Sequence, residues 1–469
     1  MGVELTRRDL CRAMPLVTLG SAGGVIGRAT ASVRGSGGDQ LWSLETLFNV
    51  NASPTVVQDT VFVGNNGHQV FAINRATGKI TWTFEVGRKV VSSPTVVDGT
   101  LFVGSFDNNL YAINAATGEK KWAFETGGSV RSSPTVVNGT VYVGSFDGKV
   151  YALDAGTGEK QWTYDTLAGV ESSPVVVDGM VYVGSRDSRV YALNVNTGDQ
   201  LWDFQTNDIV VSSPTVVNGT VFVGGGDQTV YAINTKNGGE QWAFETDGSV
   251  QSSPTVANGT VYVGSRDGRL YALEATTGET EWDFQTDGAV DSSPTVAGGS
   301  VFVGSMDTNV YAVNATSGTE LWSFETDGMV QSSPTVVDGV VYVGSQDTYV
   351  YALEAGVAGS SEGSRVRQRI LGHKGKSRES TPTPVETLTS QEESPTATET
   401  DTARETTTTA ETTSQQTSRT DETEAVEPTN PPNTPSESES GTPGFGLGAA
   451  LGALGGSLLW YRLRGRDEE

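Results

Sequence analysis

SSPTVVNGTVYVGSFDGKVYALDAGTGEKQW, from Ser132 to Trp162, is one copy of a unit written again and again along this chain. Its closing tryptophan recurs as Trp42, Trp82, Trp122, Trp162, Trp202, Trp242, Trp282 and Trp322, and its opening proline as Pro54, Pro94, Pro134, Pro174, Pro214, Pro254, Pro294 and Pro334. Both series advance by forty residues, so there are eight repeats. Within the unit, Pro134–Val137 and Val141–Val143 are β-branched or aromatic runs joined by Asn138-Gly139, the two-residue turn that suits a hairpin because both positions tolerate positive φ. A Gly-Ser-x-Asp turn then leads to a third run, Val150–Leu153, and Thr157-Gly158 to a fourth that carries Trp162. A unit of about 40 residues with four short strands is one blade of a β-propeller, so the expected fold is all-β, with eight four-stranded blades.

The ends of the array predict how the ring closes. The pattern is entered at Leu41-Trp42-Ser43-Leu44-Glu45-Thr46, a fourth strand without its first three, and left after Tyr351-Ala352-Leu353, three strands without a fourth. Together they make one blade, so the N-terminal strand is expected to complete blade eight and leave no open edge. The hairpin turn is repeated at Asp98-Gly99, Asp178-Gly179, Asn218-Gly219, Asn258-Gly259, Gly298-Gly299 and Asp338-Gly339, whereas the first blade has Gln58-Asp59.

With Ala152-x-Asp154-x-x-Thr157-Gly158-Glu159-Lys160-x-Trp162, the repeats resemble those of the pyrroloquinoline-quinone (PQQ) enzyme-like propeller family over residues 40–356. The resemblance implies that each recurring Trp docks a blade onto its neighbour. It also implies one of two kinds of function, since the family holds both quinone-dependent dehydrogenases and non-enzymatic scaffolds such as BamB, of bacterial outer-membrane assembly. The repeat speaks for fold and is nearly mute about activity.

Formal net charge is −26, and residues 40–356 hold 35 acidic against 14 basic side chains. Nucleic acid is excluded as a partner, because phosphate contacts need clustered Lys and Arg. Such a surface resembles those of proteins from salt-loving archaea, where screening tolerates the self-repulsion.

The chain ends read as addresses. Thr6-Arg7-Arg8-Asp9-Leu10, a short apolar stretch and Ala29-Thr30-Ala31 resemble a twin-arginine (Tat) signal peptide over residues 1–31, with Arg7 and Arg8 read by the Tat translocase. Cys11, the single cysteine, falls inside it. From 357 to 442 the chain turns to Ser, Thr, Glu and Pro, a composition that buries too little surface to fold and resembles a glycosylated stalk. Residues 443–469 hold Pro443-Gly444-Phe445, an uncharged Gly/Ala/Leu stretch just long enough for a transmembrane helix, and Arg462, Arg464 and Arg466. This tail resembles the archaeal PGF-CTERM sorting signal, which implies processing by an archaeosortase and attachment through lipid, with the uncleaved helix as the alternative anchor. The ring is therefore expected at the extracellular face of the cell membrane, held at its C-terminus, as a monomer.

Little in the ring reads as catalytic. A quinone dehydrogenase resembling the family's enzymes would bring long insertions, a calcium held by Asp, Asn and Glu, and in many members a vicinal Cys pair over the PQQ; the strict period leaves no insertion and the mature chain no cysteine. The recurrent Asp107, Asp147, Asp187, Asp227, Asp267, Asp307 and Asp347 are expected to be turn residues bonding local backbone rather than metal ligands. Hydrolysis would need His68, the one propeller histidine, beside a nucleophile and an orienting carboxylate. No catalytic, cofactor-binding or metal residue is assigned; PQQ with calcium is the alternative.

Recognition remains. The connections after fourth strands and after second strands fall on one face of the disk, and that is where the repeats differ. Asn51, Val91, Arg131, Glu171, Val211, Gln251, Asp291 and Gln331 share one position, and Asn66, Phe106, Phe146, Arg186, Gly226, Arg266, Met306 and Gln346 another. Such tips on a common frame are a candidate face for a protein or glycan partner in the envelope. Asn138, Asn218, Asn258 and Asn314 are N-glycosylation acceptors by sequence, although Asn-Gly is also the best hairpin turn.

Overall fold

The computed structural model describes residues 37–361 and Gly363. They form thirty-two strands in eight four-stranded antiparallel sheets, an eight-bladed propeller. In the third blade the strands are Thr135–Val137, Thr140–Ser145, Lys149–Asp154 and Lys160–Asp165, ordered from the axis outward. The two middle strands are apolar and buried over nearly their whole length, because both faces of a blade pack against neighbours. The outermost strand is largely exposed, apart from its tryptophan. The core is accordingly a series of layers between blades: Tyr142, Val150, Ala152 and Trp162 of blade three meet Val181, Val183, Tyr191 and Leu193 of blade four.

Each Trp docks onto the next blade by two contacts. The Trp162 indole N–H donates to the Val195 carbonyl at 3.0 Å, and the ring of Trp122 lies on Gly158 so closely that an added Cβ would stand 2.8 Å from it. Gly158 also has φ +77°, so both the conformation and the space at this turn call for glycine. The same Trp-to-carbonyl bond links all eight junctions.

Closure follows the expected route and goes one step further. The strand Gln40–Glu45 pairs with Tyr349–Glu354, with Trp42 opposite Ala352 and Glu45 opposite Tyr349. Trp42 reaches across the seam to the Arg75 carbonyl of blade one at 2.8 Å. Blade eight has no Thr-Gly turn of its own, yet Gly38 supplies one from the start of the ring. Its N–H donates to the Glu354 carbonyl at 2.8 Å, Glu354 N–H donates to Asp39, and Gly38 lies under Trp322 at φ +81°. A turn that is continuous in seven blades is split between the two chain ends in the eighth.

A second belt runs near the axis. The backbone N–H of Ser53 donates to Ser93 Oγ, Ser93 to Ser133, and so on through Ser173, Ser213, Ser253 and Ser293 to Ser333, whose N–H returns to Ser53 Oγ. Eight bonds of 2.9–3.0 Å thus close a circle through side chains on inner strands that are too far apart to pair as a sheet. Threonine hydroxyls add a parallel set to the next blade's proline carbonyl, as in Thr135 to Pro174, interrupted where blade four has Val175.

The chain does not leave the ring at Gly356. Residues 357–361 return along the innermost strand of blade eight, where Gly339 N–H donates to Gly359 and Ser361 N–H to Val336, both at 2.7 Å. The rest of the expected stalk, the signal residues Arg7 and Arg8 and the tail with Pro443, Gly444 and Phe445 lie outside the described residues. Among the described residues no helix is long and apolar enough to cross a membrane, and the expected span at 443–461 is not among them.

Trp42 is the only indole that the N-terminal strand brings to the seam. Trp42→Ala is therefore expected to cost about 3–5 kcal/mol, as for a truncated core indole, and to lower the calorimetric midpoint. Deletion of residues 384–442 should leave that midpoint unchanged. Equal shifts in the two variants would place the closing contact elsewhere.

Candidate binding face

One face of the disk is built from the connection that enters each blade and the turn between its second and third strands. A valine from each connection presses on the glycine that ends the second strand. A Cβ at Gly144, for example, would come within 2.3 Å of Val170 Cγ1, so side-chain-free backbone is needed there. The Gly-Ser-x-Asp turns are locked in a further way. Asp147 Oδ1 accepts the Lys149 N–H, as expected of a turn aspartate, but Oδ2 accepts the Tyr151 hydroxyl at 2.7 Å and the N–H of Gly127 in the adjoining connection. The Asp–Tyr pair repeats at Asp107, Asp187, Asp227, Asp267, Asp307 and Asp347. Blade one has Gly67 and Phe71 at these two positions, so it lacks both partners of the pair together. The aspartate reading was therefore half complete: these carboxylates staple the turn to the connection beside it. Tyr111, Tyr151, Tyr191, Tyr231, Tyr271, Tyr311 and Tyr351 are all held well above the usual phenol range, first by burial and then by the bond to Asp.

On this frame the variable tips meet. Arg131 donates to Glu171 at 2.7 Å and Arg186 to the other oxygen of the same carboxylate at 2.6 Å. The Arg131 guanidinium is stacked between two rings, 4.6 Å from the centroid of Phe106 and 3.9 Å from that of Phe146. Lys89 covers Phe106 at 4.2 Å, and Arg186 lies 5.5 Å from Phe146. Each such cation–π contact contributes about 0.5–1 kcal/mol at an exposed site. Around the other side, Arg266 grips Asp291 with two bonds of 2.8 Å and touches Gln251 at 3.0 Å. Gln331 takes hydrogen bonds from Asn51 and Gln346 and gives one to Asp291. Thus Arg131, Glu171, Gln251, Asp291, Gln331, Phe106, Phe146, Arg186 and Arg266 fall into two contiguous networks, over blades two to four and over blades six to eight and one. Val91, Val211, Gly226 and Met306 join neither.

The tips do not suit the calcium–quinone alternative. A calcium site takes several carboxylate and carbonyl oxygens, but the carboxylates at the variable position, Glu171 and Asp291, are both spent on arginines. Among the described residues no three His, Cys, Asp or Glu side chains converge as a metal site. His68 sits exposed in the turn of blade one at φ +67°, and of the two Ser-Ser-Pro hydroxyls the second is engaged in the inner belt while the first accepts a glycine N–H of its own blade, as Ser132 does from Gly144. That belt was missed by sequence reasoning, and its signal was the invariance of Ser-Pro in every repeat. Of the glycosylation candidates, Asn138, Asn218 and Asn258 stand exposed in hairpin turns on the opposite face with φ near +50°. Asn314 accepts the N–H groups of Thr316 and Ser317 in an outer turn.

The architecture defines a blade-repeat propeller with one decorated face. The chain belongs to the propeller family described as "Beta-alanine-activating enzyme, beta-propeller", which matches it over residues 49–258 and 139–401. Similar solved structures include BamB from Moraxella catarrhalis, 21% identical over 67% of this chain and 99% of that one, with a TM-score of 0.58. Sqt1 of Saccharomyces cerevisiae is 15% identical over 68% and 99%, with a TM-score of 0.62. Quinohemoprotein alcohol dehydrogenase from Comamonas testosteroni is 18% identical over 68% and 76%, with a TM-score of 0.58. At these identities the likeness is one of fold. No curated protein matches the chain in sequence.

The buried phenols set an alkaline limit. Burial pushes Tyr182 and Tyr342 up to about 12, above their unfolded value of 10.0. A folded pKa above the unfolded one contributes stability that is complete below the unfolded value and lost as pH rises through the folded one. The melting temperature is thus expected to hold until about pH 10 and to fall steadily above it, with phenolate absorbance of Tyr182 and Tyr342 in the folded ring delayed towards about pH 12. Half-maximal phenolate absorbance of these tyrosines already at pH 10.0, in a ring that is still folded, would contradict this burial.

Proposed function

We propose that the ring is a non-catalytic binding or assembly scaffold for a protein or glycan partner of the cell envelope, displayed at the extracellular face of the membrane from a C-terminal anchor. One observation carries this reading: eight blades share wedge and belt and seven of them the Asp–Tyr staple, while the side chains that differ collect on one face and bond to one another there. A rigid frame with varied tips is how a fold with no chemistry of its own presents a recognition surface. The scaffold role that the PQQ-like resemblance implies is consistent with it. Display outside the cell is supported by the twin-arginine pattern at Arg7 and Arg8, the Thr-rich approach and Pro443-Gly444-Phe445. Tat translocase and an archaeosortase are then partners of maturation, and the acidic surface suits a salt-loving archaeon.

Two measurements test the reading. Mature protein titrated with PQQ and calcium is expected to show no quinone absorbance on the protein, whereas cross-linking from its face should capture an envelope component. Stoichiometric quinone binding would favour the dehydrogenase instead. Replacing Arg7 and Arg8 by Lys should trap the precursor inside the cell, because the twin-arginine receptor distinguishes the guanidinium pair from charge alone. Normal export of that variant would remove the argument for Tat.

A further inference from the structure

Charge on the decorated face is divided. Leaving aside the Asp that recurs in each turn, the connections and turns of blades two to four carry Arg88, Lys89, Arg131 and Arg186 against Glu171. Those of blades five to eight carry Asp208, Asp247, Asp287, Asp291 and Asp327 against Arg266. On a ring with 35 acidic and 14 basic side chains, four cations gathered on one sector are a departure from the general surface.

The sector is also built. Lys89, Phe106, Arg131, Phe146 and Arg186 alternate cation and ring across three blades, within 3.9–5.5 Å at each step. Stacking holds each guanidinium plane while leaving N–H groups for an acceptor: Glu171 engages one nitrogen of each arginine and Ser129 Oγ accepts from Arg131 Nε at 3.3 Å, which together occupy only part of the two edges. The recurring Asp107, Asp147 and Asp187 beside it give one oxygen each to a tyrosine and to backbone, so they do not neutralise the ladder by direct pairing. Apolar surface lies alongside: Phe146 is 37% exposed and Leu167 85%.

Resting on the scaffold reading, we propose that this cation–aromatic ladder docks an acidic peptide segment of a partner protein, its carboxylates on the free edges of Arg131 and Arg186 and an apolar side chain beside Phe146 and Leu167. The planar guanidinium fork fits a carboxylate with two parallel hydrogen bonds, and the neighbouring apolar surface favours a peptide over a sulfated sugar. High salt shortens the Debye length to about 3 Å at 1 M, so long-range steering is lost while contact pairs and stacking persist.

The test uses the full chain and a fluorescein-labelled Glu-Glu-Phe repeat peptide, read by fluorescence anisotropy, with a Lys-Lys-Phe repeat and dextran sulfate as comparators. Arg131→Gln is expected to weaken binding about tenfold, as for a charged anchor at an interface. Phe146→Ala should weaken it too, and Lys236→Gln, which changes net charge equally at an exposed outer turn away from the face, should leave it within about twofold. Unchanged circular dichroism melts keep loss of binding distinct from loss of fold. Equal effects of Arg131→Gln and Lys236→Gln, or no binding by the native chain, would overturn the proposal. Tighter binding of dextran sulfate would assign the sector to an anionic glycan, and concentration-dependent dimerisation abolished by Arg131→Gln would assign it to a second copy; either also overturns it. If Arg131→Gln and Phe146→Ala chains still cross-link the same envelope component as the native chain, the ladder is wrong and the scaffold reading stands; if the native chain captures nothing, the scaffold reading itself fails.

Discussion

Everything else in this molecule depends on the contact between one indole and one glycine. Each tryptophan leaves the outer strand of its blade, donates its N–H to a carbonyl of the next blade and lies flat on the glycine of that blade's Thr-Gly turn. A blade alone cannot bury its two apolar faces; stacked against neighbours it does so twice, and the indole sets how closely they stack. The tilt is then the same eight times over, and a constant tilt repeated eight times returns to its start. The serine belt near the axis is the inner counterpart, holding strands too far apart to pair as a sheet.

Closure needs both chain ends. A ring whose last blade came from one continuous piece of chain would leave first and last blades joined only by packing. Here the seam is crossed by the strand Gln40–Glu45, by the Trp42 wedge and by Gly38, which completes a turn begun at Glu354. Regularity of the frame frees the tips. The Asp–Tyr staples hold seven of the turns whatever the residue before the aspartate, so Phe106, Phe146, Arg186, Arg266 and Gln346 can differ without disturbing the fold.

Much of this was readable in advance because repetition is itself a structural statement. The forty-residue spacing of Trp and Pro, the Asn-Gly turns and the fragments at the two ends lead to eight blades and to the right seam. The serine belt was not read from Ser133 or Ser173, because a small polar residue before proline looks like an ordinary strand start. The Asp–Tyr staple was half read: the local Asx bond follows from sequence neighbours, whereas the bond to Tyr151 and to the connection beside it depends on how turn and connection stack.

Sequence alone determined the strand content, the number of blades, the closing strand and the face on which the repeats diverge, because each is a matter of period and short-range turn chemistry. It could not determine which divergent residues touch. Phe106 and Arg131 are twenty-five positions apart in the chain and Arg131 and Glu171 forty, and only the radial packing of blades brings their tips within 5 Å. The cation–aromatic ladder, the amide network opposite it and the division of charge between them belong to the tertiary structure, since they are contacts between blades and the period carries no information about side chains that break it.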